Sequence, residues 1–113
     1  MNQNRNKLID LFIGNISNSA VHKILEKAIA EENIRKHYDK EFSISLDVAK
    51  RYREKINPIN APLPDKDKVY LKEKIIRKVK AELEQRISKG YQNINLELIE
   101  PVVNALLKEM NMI

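Results

Sequence analysis

The stretch "SNSAVHKILEKAIAEE", residues 17–32, sets the fold class because its apolar residues recur with the period of an α-helix. Ser17 or Ser19 can cap the N-terminus of this helix through a side-chain oxygen. The apolar residues follow the spacing i, i+3, i+4, i+7 and i+8 that places them on one helical face: Val21, Ile24, Leu25, Ala28 and Ile29. The pattern predicts an amphipathic helix with one buried face.

The apolar stripe extends beyond this stretch in both directions. Toward the C-terminus it continues at four-residue spacing through Ile34, Tyr38 and Phe42. We therefore expect a helix that either runs to about residue 41 or breaks near Asn33. Toward the N-terminus, apolar residues at 8–13 predict a separate short helix that Gly14 terminates, since glycine readily adopts the left-handed conformation of a helix C-cap.

Two later stretches resemble each other: "ISLDV" at 44–48 and "INLEL" at 94–98. Their alternating apolar residues are compatible with a short pair of strands, which is the main alternative to an all-helical fold. We favour two helix starts, with Ser45 and Asn95 as N-caps. Asp47 and Glu97 then lie in the first turn, where the helix dipole stabilises a negative charge.

The central part of the chain is a proline-rich connector, "NPINAPLPDKD". The preceding helical pattern ends at Asn57, because the residue before a proline is disfavoured in helical geometry. Each side of the connector has only about fifty residues, too few for an independent core without disulfides or metal. We therefore predict a rigid elbow at 57–64 inside one domain that spans residues 1–113.

A well-bounded helix is predicted after the elbow. Asp65 or Asp67 can cap its start, and Gly90 can end it just beyond Lys89. Its predicted apolar side consists of Val69, Ile75, Ile76, Val79, Leu83 and Ile87. The same predicted helix is also the most basic one in the chain.

The C-terminal segment is rich in apolar residues. Pro101 is tolerated in the first turn of a helix but not in its interior, so we expect a bend at 99–101 and a last helix that Pro101 opens. The predicted apolar side of that helix consists of Val102, Val103, Leu106, Leu107 and Met110. It is either part of the core or a partner interface, and a homodimer is the simplest way to cover an exposed part.

Together these patterns predict an all-α fold, a single compact helical bundle of four to five helices. The chain has no cysteine, which excludes disulfides and cysteine-based zinc sites and is typical of the cytoplasm. It also lacks an apolar run long enough for a membrane span and a signal-peptide pattern at its start. We therefore expect a cytoplasmic protein with no membrane association.

The net charge of the chain is +5, and residues 66–80 alone contain seven basic residues and two acidic residues, an excess of the same size. The candidate polyanion-binding residues, placed opposite the apolar stripe by helical geometry, are Lys66, Lys74, Arg77 and Lys78. The alternative is an ordinary solvated face neutralised by i, i+4 ion pairs: Glu73 with Arg77, Lys78 with Glu82, Lys80 with Glu84, and Glu82 with Arg86. Because the face offers little for reading base edges, any nucleic-acid binding would be sequence-nonselective.

A second basic run, "KRYREK" at 50–55, contains an aromatic residue. An exposed aromatic flanked by cations can stack a base and hold its phosphate. Tyr52, however, shares a helical face with Ala49 and Ile56. We therefore predict that it packs against the core.

No pattern in the sequence predicts catalysis, a cofactor or a metal site. His22 and His37 lack the three or four convergent ligands that a metal needs, and no serine has a recognisable base partner. The leading hypothesis is a small helical interaction or structural protein that is not an enzyme and self-associates through apolar helical surface. The alternative hypothesis is a sequence-nonselective nucleic-acid-binding module that uses the basic face at 66–80.

Overall fold

The computed structural model describes residues 5–56 and 63–110, and within them the chain is helical and has no strand. The helices are α1 (Arg5–Ala28), α2 (Glu32–Ile56), α3 (Asp65–Ser88) and α4 (Ile99–Glu109), and a short 3-10 helix, Leu96–Leu98, precedes α4. The all-α prediction is confirmed, and the strand alternative at 44–48 and 94–98 is excluded. Most of the predicted elbow, residues 57–62, lies outside the described residues.

Gly14 does not end a helix, so the prediction of a separate N-terminal helix is wrong. α1 continues through this residue, and buried apolar side chains lie on both sides of it: Leu8, Ile9, Phe12, Ile13, Ile16, Ala20, Val21, Ile24 and Leu25. A glycine inside a helix costs about 1 kcal/mol relative to alanine. Each fully buried aliphatic side chain stabilises by about 1.5–3 kcal/mol, so burial of this stripe outweighs the local preference.

The helical pattern is interrupted between α1 and α2, near the break expected at Asn33. The Glu31 carboxylate accepts hydrogen bonds from the backbone N–H groups of Asn33 at 3.0 Å and of Ile34 at 3.1 Å. These are two of the donors that a helix N-terminus leaves without an internal partner. Glu31 therefore caps α2 and fixes the start of the second helix.

Ser45 is not a helix cap, so the predicted helix start at 44–48 is wrong. Ser45 is buried in the middle of α2, and its hydroxyl accepts a hydrogen bond of 2.7 Å from Asn18 Nδ2 of α1. The interhelical partner explains why a residue that normally favours a cap is accommodated inside a helix. The polar contact also ties the middle of α2 to α1.

The two ends of α3 differ in how well the sequence predicts them. At the start, Pro64 occupies the cap position without a side-chain hydrogen bond, and Asp65 is already the first helical residue. The capping role predicted for Asp65 or Asp67 is therefore wrong. At the end, Gly90 has φ 103°, and its N–H donates to the Ile87 carbonyl at 3.0 Å, as expected for a glycine-terminated helix.

The entry into α4 follows its predicted chemistry. The Asn95 side chain accepts a hydrogen bond of 3.0 Å from the Glu97 N–H and caps the short 3-10 helix. α4 then begins at Ile99, and Pro101 lies in its first turn, where the missing N–H has no helical partner to lose. The junction between these two helices lies between Leu98 and Ile99, just before the bend expected at 99–101, and Pro101 is the third residue of α4 rather than its first.

α1 occupies the centre of the fold and packs against α2, α3 and α4. Buried apolar residues from all four helices form one cluster, to which α4 contributes Ile99, Val103, Leu106 and Leu107. Among the described helices, none combines the length and the apolar character that crossing a bilayer requires.

Candidate interaction surfaces

The four cations predicted to bind a polyanion lie on α3 but do not share one direction. Lys66 and Arg77 are exposed on the side of α3 opposite its buried residues. Lys74 Nζ lies 3.5 Å from the Asp10 carboxylate of α1. Lys78 lines a small cavity of about 70 Å³ beside α1. The four cations therefore form two pairs: Lys66 and Arg77 point outward, whereas Lys74 and Lys78 lie along the edge of α3 that is next to α1.

The surface of α3 is less neutralised by its own carboxylates than the sequence suggests. Of the four expected i, i+4 pairs, one forms: Arg86 Nη1 lies 3.1 Å from Glu82 Oε2. Among the described residues, the other three pairs exceed the 4.0 Å limit of an ion pair: Glu73 with Arg77, Lys78 with Glu82, and Lys80 with Glu84. Lys72 instead reaches Glu100 of α4 at 3.6 Å. Cations of α3 thus serve contacts between helices.

A polar cleft of about 370 Å³, here called the Tyr70 cleft, opens between the first turns of α1 and α3. One ion pair in its lining joins Arg5 to Asp67 at 3.7 Å, and the other joins Lys74 to Asp10. Lys74 Nζ also donates a hydrogen bond of 3.0 Å to Tyr70 Oη and lies 5.4 Å from the ring centroid. The interaction with Tyr70, first of all this hydrogen bond, raises the pKa of Lys74, and Asp10 adds a smaller raising effect.

An apolar groove of about 350 Å³, here called the α3 groove, lies between α3 and the start of α4. Its apolar part consists of Ile76, Leu96 and Ile99. Lys80 lies on the α3 side, whereas Glu97 and Glu100 lie on the α4 side. The groove therefore has an apolar floor between lips of opposite charge.

Two more apolar residues extend this surface along α3. Val69 and Ile87, both on the predicted apolar side of α3, are 56% and 40% exposed. Their separations from Ile76, seven and eleven residues, are close to whole numbers of helical turns, which places the three side chains along one line of the helix. Leu71, which the predicted stripe omitted, occupies the core position and is 1% exposed.

The C-terminal residues predicted as core or partner interface lie in the chain's own core. Val103, Leu106, Leu107 and Met110 are buried, and Val102 packs partly buried against the same cluster. The structure thus uses this face of α4 inside the molecule, the first of the two roles that the sequence left open.

The basic run at 50–55 contains a buried cation that the sequence analysis missed. Tyr52 is partly buried against the core, as predicted, but Arg53 is only 2% exposed. Burial lowers the pKa of Arg53, and its Nε donates a hydrogen bond of 3.0 Å to the Met110 carbonyl. The available signal was the spacing: Arg53 follows Ala49 by four residues and precedes Ile56 by three, so the three share one helical face.

Neither histidine belongs to a metal site in the described part of the chain, where no group of three or more potential ligands occurs. The His22 ring packs against Tyr38, with centroids 5.7 Å apart. Burial is the main effect on His22 and lowers its pKa, against a smaller raising effect of the Asn18 carbonyl. Among the described residues, His22 Nδ1 has no partner with hydrogen-bond geometry.

Comparison of the chain with protein-family models, with curated proteins and with solved structures found no match. The function must therefore be inferred from the chemistry of the surfaces themselves.

Proposed function

We propose that this protein is a small helical interaction module that self-associates through the α3 groove. The observation that carries the proposal is a line of apolar side chains on α3. Val69 and Ile87 are exposed, and Ile76, which packs partly buried against the core, lines the apolar groove between them. Contiguous exposed apolar surface with a polar rim is typical of protein interfaces.

The charges around the groove favour a second copy of the chain as the occupant. Lys80 stands on one lip, and Glu97 stands on the other. A two-fold axis through the groove sets Lys80 of each copy opposite Glu97 of its partner, which makes the surface complementary to itself. Such rim pairs mainly set the register, while the apolar centre supplies most of the affinity.

The proposal assigns the interface to a different surface from the one that the sequence suggested. The apolar face of α4 contributes its side chains to the core, so an interface built on it would require the bundle to open. The α3 groove is accessible in the folded monomer, and association there leaves the core intact.

Size-exclusion chromatography with light scattering tests the proposal over about 10 µM to 1 mM protein, a range that covers micromolar to millimolar dissociation constants. We expect a dimer for the native chain and a monomer for the double variant Val69→Glu/Ile87→Glu, since a dimer would bury these unpaired charges. The matched control is Ile34→Glu/Ile44→Glu on α2, which replaces two comparably exposed residues, 44% and 49%, and should leave the dimer intact.

A charge-swap experiment distinguishes this interface from nonspecific association. Lys80→Glu should weaken the dimer by placing two like charges in register, and adding Glu97→Lys should restore it. A native chain that stays monomeric throughout the range contradicts the proposal, as does a double variant that remains dimeric.

A further inference from the structure

We infer that the Tyr70 cleft is a binding site for single-stranded nucleic acid, in which Tyr70 stacks a base and the surrounding cations hold the phosphates. This site is independent of the proposed self-association, because it lies between α3 and α1 whereas the groove lies between α3 and α4.

The aromatic ring is partly exposed, and it has cations close by that are paired with the carboxylates of the cleft. Tyr70 is 48% exposed and lines the cleft. Lys66 lies about one turn before Tyr70 on the outward side of α3, and Lys74 lies about one turn after it on the side toward α1. An exposed ring within a basic stripe is the arrangement that single-strand binding proteins use.

The cations of the cleft can exchange their partners for phosphates at little cost. Arg5 and Asp67 are 3.7 Å apart, and Lys74 and Asp10 are 3.5 Å apart, with both cations about half exposed. Exposed ion pairs of this kind contribute little to stability, so a phosphate competes with the carboxylates for the same cations. Arg77, which has no ion pair within the described residues, extends the basic track along α3.

The geometry favours a single strand over a duplex. Only an unstacked base can reach the face of the Tyr70 ring, and the bases of a duplex are already stacked on one another. The carboxylates of Asp10, Asp67 and Glu73 also interrupt the positive surface along which a rigid duplex would place its phosphates. A flexible strand can route its phosphates past them.

Fluorescence anisotropy with a fluorescein-labelled 20-mer of thymidine, at about 50 mM salt where phosphate contacts are strong, tests the inference. Tyr70→Ala should weaken binding about 5- to 100-fold, the range for loss of one base–aromatic stack. Tyr70→Phe keeps the ring and should stay within about 3-fold of the native chain. Tyr91→Ala, which removes a tyrosine of similar exposure (41%), is the aromatic control and should bind normally.

Charge variants test the phosphate contacts separately. Lys74→Glu should reduce affinity more than Lys40→Glu, which makes the same change in net charge on an exposed part of α2. The replaced side chains are exposed or partly exposed, and circular dichroism verifies that each variant is folded. Equal losses for Lys74→Glu and Lys40→Glu would indicate attraction to net charge alone and overturn the site.

Three further results would overturn the inference: no anisotropy change with the native chain, unchanged binding by Tyr70→Ala, or tighter binding of a duplex of the same length. These results are distinguishable from failure of the proposed self-association. Self-association is measured separately, as the molar mass of the protein by light scattering at matched protein concentration without nucleic acid.

Discussion

Arg53 Nε donates a hydrogen bond of 3.0 Å to the carbonyl oxygen of Met110, joining the second half of α2 to the residue that ends α4. The last carbonyls of a helix lack internal partners, and a cation there also complements the negative end of the helix dipole. The contact spans 57 residues of sequence and lies in the buried part of the molecule. It is a tertiary helix cap supplied by another helix.

Arg53→Ala should therefore lower the free energy of unfolding by about 2–4 kcal/mol, because it leaves a buried carbonyl without this donor and removes a packed side chain. Chemical denaturation measures the change. Arg51→Ala, two residues earlier on the exposed side of α2, is the matched control and should change stability by less than about 0.5 kcal/mol. Equal losses in the two variants would show that the buried contact contributes nothing specific.

The two glycines should respond to alanine with opposite signs. Gly14 lies inside α1, and a Cβ there would meet no atom within 4 Å, so Gly14→Ala should raise the free energy of unfolding by about 0.5–1 kcal/mol. Gly90 has φ 103°, which an L-residue adopts only with strain. Gly90→Ala should therefore lower the free energy of unfolding by about 1 kcal/mol or more. Urea titrations of the two variants decide the matter, and a destabilising Gly14→Ala would contradict the open environment of that residue.

Leu71 and Val69 test which face of α3 is buried. Leu71→Ala should cost about 2–5 kcal/mol, as expected for truncation of a fully buried leucine. Val69→Ala, two residues away on the exposed side, should change stability by no more than about 0.5 kcal/mol at a protein concentration low enough to keep the chain monomeric. Thermal unfolding of both variants gives the comparison, and the reverse order would show that α3 is rotated.

Burial of His22 should make the protein less stable at mildly acidic pH. Its folded-state pKa is lowered from 6.5, so the unfolded chain binds the proton more readily and the free energy of unfolding falls as pH decreases through 6.5. Glu41 favours the charged ring, whereas Arg86 and His37 disfavour it, and burial remains the largest effect.

Denaturation between about pH 7.5 and about pH 5 measures this loss, above the range where most carboxylates titrate. His22→Gln should flatten the pH dependence because it removes the titrating group. His37→Gln, on the exposed part of α2, should preserve it. An unchanged slope in His22→Gln would assign the effect to other groups.

The sequence predicts those features that neighbouring residues determine. Asn95 caps its helix and Gly90 ends α3 as expected, because each depends on backbone groups within a few residues. The predictions at Gly14 and Ser45 fail for the complementary reason. At Gly14, burial of a continuous apolar stripe outweighs the helix-breaking tendency of glycine. At Ser45, Asn18 of α1 provides a hydrogen bond to the hydroxyl, so the serine is accommodated inside a helix.

The candidate surfaces depend on residues that are distant in sequence, and this limits their prediction. Lys74 was expected on the solvent-facing side of its helix, but it pairs with Asp10 of α1, which is 64 positions away in the sequence. Neither this pair nor the cleft around Tyr70 has a local signature. The exposure of Val69 and Ile87 beside the α3 groove was missed because both fit a helical stripe. Periodicity alone does not reveal which part of a wide stripe the core leaves uncovered.

The central position of α1 has a consequence for how the chain can be divided. α1 packs against α2 in the first half of the chain and α3 packs against α4 in the second, and the two halves meet largely through α1. Cleavage of the backbone between residues 57 and 62 would separate two helical hairpins, each with an uncovered apolar face that matches the other. The protein is thus suited to reconstitution from two fragments, with recognition between them encoded by the buried side of α1.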